Sequence, residues 1–312
     1  MKKVFLMKQC LLMFGLLLVL ATSCEPYEDF IKDFDTTTVY FASQKPLRTI
    51  VAYEDMQFKV GVALGGKRSN DTDEYANFVI DPSLLSDVDG ASGFTLLPES
   101  YYTLSNANKM IIPKGKFIGD ITVTLNRELF TTDADATTNT YALPLRITES
   151  SLDSIGGIGP DGNILPSPKD HTILVVKYIS PYHGTYYHKG AQKELDASGA
   201  VVNEVTYNNA DLVKNQTWDL KTIDRNSVIT PGVGANTNEK FIMNIDETTS
   251  TVSFELAPGS NVTDFSGTGT YNSVTRAFNI EYSYTLNGKD FEVIDSLIIR
   301  RPPEQDLAFE EW

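Results

Sequence analysis

The sequence predicts an all-β protein of two domains, and three observations lead to this prediction. Hydrophobic and polar residues alternate with a period of two in many short segments, as in half-buried strands. These segments recur roughly every 8 to 15 residues, with turn-forming residues between them. No stretch longer than about ten residues keeps a helical period, and no longer internal repeat stands out. We therefore expect two β-domains, each of them a sandwich or a barrel.

The N-terminus has the features of an export signal. A lysine-rich flank precedes the apolar stretch at residues 10–21, which is shorter than the roughly 20 residues that a spanning helix needs. Small residues follow, and the run Leu20 to Cys24 resembles a bacterial lipobox. The sequence thus predicts a lipoprotein signal peptide at 1–23 and lipidation of Cys24, which would anchor the chain in a bilayer. The alternative is an ordinary secreted protein in which Cys24 is an incidental thiol.

Residues 24–36 are rich in carboxylates and predict an acidic flexible tether. This segment also resembles the acidic export signal of Bacteroidetes lipoproteins, which implies an outer-membrane protein that faces the extracellular side. The only other cysteine, Cys10, lies within the predicted signal, so no internal disulfide is expected. The formal net charge of −15 excludes nucleic acid as an expected partner, because phosphate binding depends on lysine and arginine.

The first domain is predicted over residues 37–180, where three segments alternate clearly. They are residues 58–64, 121–125 and 141–147. Pro144 has no N–H for a ladder, so its strand is expected at a sheet edge or with a bulge. A long surface loop is expected over residues 150–171, and the apolar run at 172–179 predicts a strand that is buried on both sides.

The second domain is predicted over residues 181–312, after a hinge in the segment 180–190. A new aromatic strand is expected to start at Gly184, and further alternating strands follow it. The dipeptide Asn287–Gly288 separates the last two strands. Both residues tolerate the positive φ of a type I′ turn, so this dipeptide predicts a tight β-hairpin.

The sequence favours no catalytic chemistry. It has no nucleophile elbow and no P-loop, and the glycines of "FSGTGTYN" precede a predicted strand and not a helix. The three histidines lack a metal-ligand spacing, and the acidic segments 71–74 and 87–89 are interpreted as solvated loops in preference to calcium sites. No carboxylate pair can be assigned to a glycosidase. We therefore expect no cofactor, no metal and no enzyme activity.

Aromatic residues are the most suggestive candidates for ligand binding. Trp218 stands alone in "NQTWDLK", and Tyr182, Tyr186 and Tyr187 gather near the hinge. Exposed rings would stack on the apolar faces of sugars, whereas rings at alternating strand positions commonly fill cores. Both interpretations remain open for each of the four residues.

Four segments carry a family resemblance. They are "VYFASQKPLRTI" at 39–50, residues 101–125, "TYALPLRITES" at 140–150 and residues 173–190. They are similar to a two-domain lipoprotein family of gut Bacteroidetes, in which the domain of unknown function 1735, an immunoglobulin-like β-sandwich, precedes a calycin-like β-barrel. The resemblance implies a surface protein of a polysaccharide-utilisation system, beside an outer-membrane importer complex, and it supplies no catalytic residue.

Three functions are therefore considered. The first is non-catalytic glycan binding by a lipid-anchored surface protein. The second is an adhesion or structural role in which the protein binds another protein. The third is the binding of a small apolar ligand inside the C-terminal barrel.

Overall fold

The computed structural model describes residues 33–43, 45–157, 163, 165 and 169–301. The predicted signal peptide and the lipidation of Cys24 lie outside the described residues. The end of the predicted tether lies inside them and contacts the first domain. The backbone N–H of Phe34 donates to the carbonyl of Gly66 at 2.9 Å, and that of Arg68 donates to Asp33 Oδ1 at 2.7 Å.

The first domain is a β-sandwich of two sheets, as expected for an immunoglobulin-like domain. The strands of the first sheet are β1 Thr38–Phe41, β3 Gln57–Gly65, β6 Tyr102–Leu104, β8 Ile118–Leu125 and β10 Ser154–Ile155. Those of the second are β2 Leu47–Ala52, β4 Glu74–Ile80, β5 Thr95–Leu96, β7 Lys109–Ile112, β9 Tyr141–Ser150 and β11 His171–Tyr178. The orders are β10-β1-β3-β8-β6 and β2-β11-β9-β4-β7, with β5 also paired to β9.

The sandwich core lies between the two sheets and confirms the predicted alternation. Val60, Val62 and Leu64 of β3 point inward from one sheet, and Leu143 and Leu145 of β9 meet them from the other. Strand β11 is buried on both faces, as predicted, because the segment around helix α1 (Leu84–Asp87) covers its outer side. A second helix, α2 (Arg127–Thr132), starts at Asn126, whose side chain accepts from the N–H of Leu129.

The expected edge position of Pro144 is wrong. Its strand β9 lies in the centre of the sheet, between β11 and β4. The proline is tolerated because its ladder with β4 stops there: β4 ends at Ile80, and the carbonyl of Pro144 accepts from the N–H of Asp81 at 3.1 Å. The missing N–H therefore costs no hydrogen bond within the ladder. The other alternative, a bulge in this strand, is confirmed: Asn77 and Phe78 of β4 pair with Glu149 and Ile147, so Thr148 is an extra residue in β9, four positions from Pro144.

The second domain is a closed antiparallel barrel. The sequence had left open whether this domain is a barrel or a second sandwich. Its strands are β12 Gly184–Leu195, β13 Val201–Tyr207, β14 Gln216–Asp224, β15 Ser227–Ile229, β16 Phe241–Asp246, β17 Thr251–Leu256, β18 Thr263–Asn272, β19 Ala277–Leu286 and β20 Lys289–Ile299. Each strand from β14 to β20 pairs with the next, and β12 closes the barrel by pairing with β14 and β20. Strand β13 extends the sheet from β12.

The hairpin predicted at Asn287–Gly288 is confirmed. The two residues have φ of 54° and 71°, and Leu286 pairs with Lys289 across a two-residue loop. This is the type I′ geometry that the dipeptide favours.

The two domains meet at an ionic cluster around Glu54. Its carboxylate lies 3.5 Å from Arg225 of the barrel and accepts from the hydroxyl of Tyr178 at 3.3 Å. Arg127 of the sandwich also reaches it at 3.5 Å, and Arg225 makes a further ion pair with Glu247 at 3.1 Å. Arg225 thus joins carboxylates of both domains. Throughout the described part of the chain, no helix combines the length and the apolar character needed to cross a membrane.

Candidate functional site

A groove of about 500 Å³ lies on the outer face of the barrel, across β12, β20, β19 and β18. We call it the outer groove. Most of its lining residues are of polar type, and the full set is Lys189, Gly190, Asn208, Thr268, Gly269, Thr270, Asn279, Ile280, Glu281, Ile294, Asp295 and Ser296.

Strand register orders the outward side chains of the outer groove into two rows that cross the four strands. One row runs Lys189, Ser296, Asn279, Thr270, and the next runs Ala191, Ile294, Glu281, Thr268. Ile294 is 57 % exposed and supplies an apolar surface among polar neighbours. The outer groove therefore offers hydroxyl and amide groups on successive strands, with one lysine and one glutamate.

Inward-facing glycines explain why the barrel wall is concave here. A Cβ on Gly190 would overlap Asp295 Oδ1, and a Cβ on Gly269 would lie 2.5 Å from Ile280 Cγ2. Gly190, Asp295, Ile280 and Gly269 form one row between the two outward rows. Because two of its four positions carry no side chain, the strands can move toward the barrel interior at this row.

The outward polar side chains of the outer groove have no polar partner in the described part of the chain. The side chains of Lys189, Asn279 and Glu281 make no hydrogen bond or ion pair to any residue that the structure describes, and the same holds for the side chains of Thr268 and Thr270. Elsewhere on this barrel, outward hydroxyls on β18 and β19 do pair, as Ser266 does with Ser283 at 3.1 Å. The donors and acceptors of the outer groove are thus free to bind an external ligand.

A buried polar network supports the outer groove from inside the barrel. Asp295 is 1 % exposed and accepts from the hydroxyls of Tyr207 at 2.6 Å and Tyr282 at 2.8 Å. Burial and the nearby Asp295 carboxylate raise the pKa of both tyrosines well above the usual value, so both remain donors. The ring of Tyr207 also covers Gly190, with its Cε2 2.9 Å from the position a Cβ would take.

His188 completes this network on the neighbouring strand. Its Nε2 lies 3.0 Å from Asp295 Oδ1 but makes no hydrogen bond to the described residues. The imidazole stacks on Trp218 with ring centroids 3.8 Å apart. The contacts of His188 are therefore with buried groups of the barrel, and its side chain is 2 % exposed.

Three of the four aromatic candidates are buried, which supports core packing and contradicts their assignment as ligand-binding residues. Trp218, Tyr182 and Tyr186 are 3 %, 5 % and 0 % exposed and belong to the barrel core. Tyr186 and Trp218 occupy inward positions of β12 and β14 and pair directly across the two strands, while Tyr182 precedes β12. Tyr187 points the other way and is half-buried, and the outer groove does not include it.

Sequence reasoning missed the outer groove, although one signal was present. The segment "SGTGT" alternates glycine with a hydroxyl residue, and on a strand this pattern puts glycines on one face and Thr268 and Thr270 on the other. Asn279 and Lys189 are distant from these threonines in the sequence. Only the register of the four strands shows that they lie in the same outward row as Thr270.

A smaller cavity of about 330 Å³ adjoins the outer groove. Thr206, Tyr207 and Lys214 line it, and Asn208 lines both cavities. One further lining residue, Asn215, is committed to its own loop, because its amide donates to three backbone carbonyls there. The smaller cavity is thus a fixed extension of the polar surface.

The carboxylates at 71–74 serve local structure. Asp73 accepts from the backbone N–H of Lys114 at 2.7 Å, and Glu74 pairs with Lys67 at 2.8 Å. The hydrogen bond from Lys67 is the largest of the effects that lower the pKa of Glu74. Among the described residues, no group of three or more His, Cys, Asp or Glu side chains is arranged to hold a metal ion. The absence of a metal remains a prediction.

Comparisons with known proteins agree with the two-domain architecture. A family model described as an N-terminal domain matches residues 34–154. A crystal structure of a Bacteroides ovatus protein of unknown function is 22 % identical, covers 90 % of this chain and 98 % of its own, and gives a TM-score of 0.71. A Bacteroides ovatus multidomain protein that includes the domain of unknown function 1735 is 14 % identical, with coverages of 84 % and 93 % and a TM-score of 0.44. A search of curated protein sequences finds no match.

Proposed function

The chain shares the two-domain fold of a Bacteroidetes family of unknown function, and from that premise we propose that it is a surface protein that binds a glycan without catalysis. The observation that carries the proposal is the outer groove, where Asn279, Thr268 and Thr270 present polar groups with no intramolecular partner among the described residues. Amides and hydroxyls at fixed positions can both donate to and accept from sugar hydroxyls. Ile294 offers an apolar contact for a ring face.

The proposed location follows from the N-terminal sequence. A lipid anchor at Cys24 and the acidic segment after it would hold the two β-domains outside the outer membrane, next to an importer complex. Protease added to intact cells should digest the protein, and a Cys24→Ser variant should lose membrane attachment. A variant that stays in the membrane fraction would contradict the anchor.

Affinity electrophoresis of the purified protein on a panel of host and plant polysaccharides tests glycan binding. We expect retardation by at least one neutral polysaccharide, and about a tenfold weaker affinity for Asn279→Ala, which loses one or two hydrogen bonds. Thr217→Ala is the matched control, because Thr217 is also an exposed, outward strand residue whose side chain makes no hydrogen bond to the described part of the chain. Absence of binding across the panel, or equal losses in both variants, would overturn the proposal.

Strand β13 favours protein binding as a second candidate function. In the described part of the chain it pairs only with β12, so its other edge is free. Val201, Val202 and Val205 are 51 %, 57 % and 42 % exposed. Such an edge can accept an extended strand of another protein through main-chain hydrogen bonds. A protein that binds the unmodified chain in the absence of glycan, and does not bind the Val205→Pro variant, would favour this function.

The structure offers no observation in favour of the third hypothesis, a small apolar ligand inside the barrel. Aromatic and aliphatic side chains of the barrel core occupy the interior, among them Phe241 and Phe278, and the outer groove lies on the opposite face of the barrel wall.

A further inference from the structure

The shape of the outer groove bears on which glycan could occupy it. Its polar side chains do not converge on one point, as they would around a single sugar. They form two parallel rows that run across the strands, one from Lys189 to Thr270 and the other from Ala191 to Thr268. Neighbouring strands lie about 4.8 Å apart, so four strands span about 14 Å.

The groups repeat at the strand spacing. In the first row an amino group, a hydroxyl, an amide and a second hydroxyl follow one another on β12, β20, β19 and β18, at Lys189, Ser296, Asn279 and Thr270. The rings of an extended polysaccharide follow one another at nearly the same interval, and each ring carries several hydroxyls. A chain laid across the strands would therefore meet one polar side chain per ring.

The charge of the outer groove selects against a polyanion. Its charged side chains outside the buried network are Lys189, which is half-buried, and Glu281, which is exposed. Their opposite charges cancel, so the surface of the outer groove is close to neutral. The formal net charge of the whole chain is −15, which repels polymers of acidic sugars. A neutral chain avoids this repulsion.

We infer that the outer groove binds an extended, linear, neutral polysaccharide that lies across β12, β20, β19 and β18 and contacts three to four successive sugar rings. This inference rests on the proposed function and specifies its ligand. The contacts are hydrogen bonds from the two rows, with Ile294 packing against a ring face near the middle.

Calorimetry with cello-, manno- and xylo-oligosaccharides, each from monosaccharide to hexasaccharide, tests the inference. In the series that binds, affinity should rise steeply from disaccharide to tetrasaccharide and then level off. Polygalacturonate serves as the anionic comparison and should bind more weakly than the neutral polymer. A monosaccharide that binds as tightly as the hexasaccharide, or a preference for polygalacturonate, would overturn the inference and leave glycan binding standing. If no carbohydrate binds, the proposed function falls as well.

Variants at the end of a row test the orientation of the chain. Thr270→Ala should weaken hexasaccharide binding about three- to tenfold, because Thr270 contributes a terminal contact. Thr217→Ala, on the outer face of β14, should leave the affinity unchanged. Equal affinities of Thr270→Ala and the unmodified protein for the hexasaccharide would exclude a chain that crosses all four strands.

Discussion

Gly190 is the residue on which the outer groove and the buried network both depend. Its backbone forms part of the floor of the outer groove, while the space on its inner side holds the carboxylate of Asp295 and the ring of Tyr207. Tyr207 lies on the adjacent strand and pairs with Gly190 in register. Its ring thus covers the glycine and reaches the carboxylate behind it. Any larger residue at position 190 must displace one of these groups.

Gly190→Ala should therefore lower the free energy of unfolding by about 1–3 kcal/mol, the usual cost of overpacking a close-packed site. The new methyl group would overlap Asp295 Oδ1 and the carbonyl of Ile294. Denaturant unfolding followed by tryptophan fluorescence measures the change. The matched control is Gly93→Ala, because no atom lies within 4 Å of a Cβ there and the residue has no positive φ. Equal stabilities of the two variants would refute this packing account.

At the scale of the elements, local pattern predicted the strands and long-range pairing decided their roles. Period-two alternation identified β3, β8 and the β19–β20 hairpin, because side-chain direction and turn geometry are local properties. The same pattern could not tell whether Tyr186 faces the core or solvent, since alternation marks two faces without saying which is buried. The central position of β9 and the two rows of the outer groove depend on pairings between strands distant in the sequence. No local signal carries those pairings.

His183 ties the entry of β12 to β14. The backbone N–H of Thr222 donates to His183 Nδ1 at 3.2 Å, and the Thr222 hydroxyl accepts from the N–H of Ser180 at 3.0 Å. Burial lowers the pKa of His183 from 6.5 to about 4, and the nearby positive charge of Lys177 acts in the same direction. The imidazole is therefore neutral in the folded protein.

This depressed pKa predicts an acid-sensitive junction of strands. As the pH falls below about 6.5 the unfolded chain binds a proton at His183, whereas the folded chain does not until about pH 4. The free energy of unfolding should thus drop by about 2 kcal/mol from about pH 7 to about pH 5. Urea unfolding at both pH values measures the loss, and His183→Gln should reduce it. An unchanged pH dependence in the variant would show that other groups cause it.

For the whole molecule, we expect the ionic cluster at Glu54 to couple the two domains. Arg225 reaches from the barrel to Glu54 of the sandwich, and to Glu247 of its own domain. The side chains are 35–39 % exposed, so each pair contributes little to stability and is weakened by salt. Their expected joint effect is to fix the direction in which the outer groove points relative to the sandwich.

Glu54→Ala should uncouple the domains with a small loss of total stability, about 1 kcal/mol. The variant removes the carboxylate that Arg127, Tyr178 and Arg225 share and leaves the apolar side chains of both cores in place. Scanning calorimetry should show one thermal transition for the unmodified protein in low salt and two for the variant, with high salt separating the transitions of the unmodified protein as well. Glu99→Ala, an exposed glutamate of the sandwich outside the cluster, should keep the single transition. If Glu54→Ala also unfolds in one step, apolar contacts and not this cluster couple the domains, and the outer groove keeps its orientation without the ion pairs.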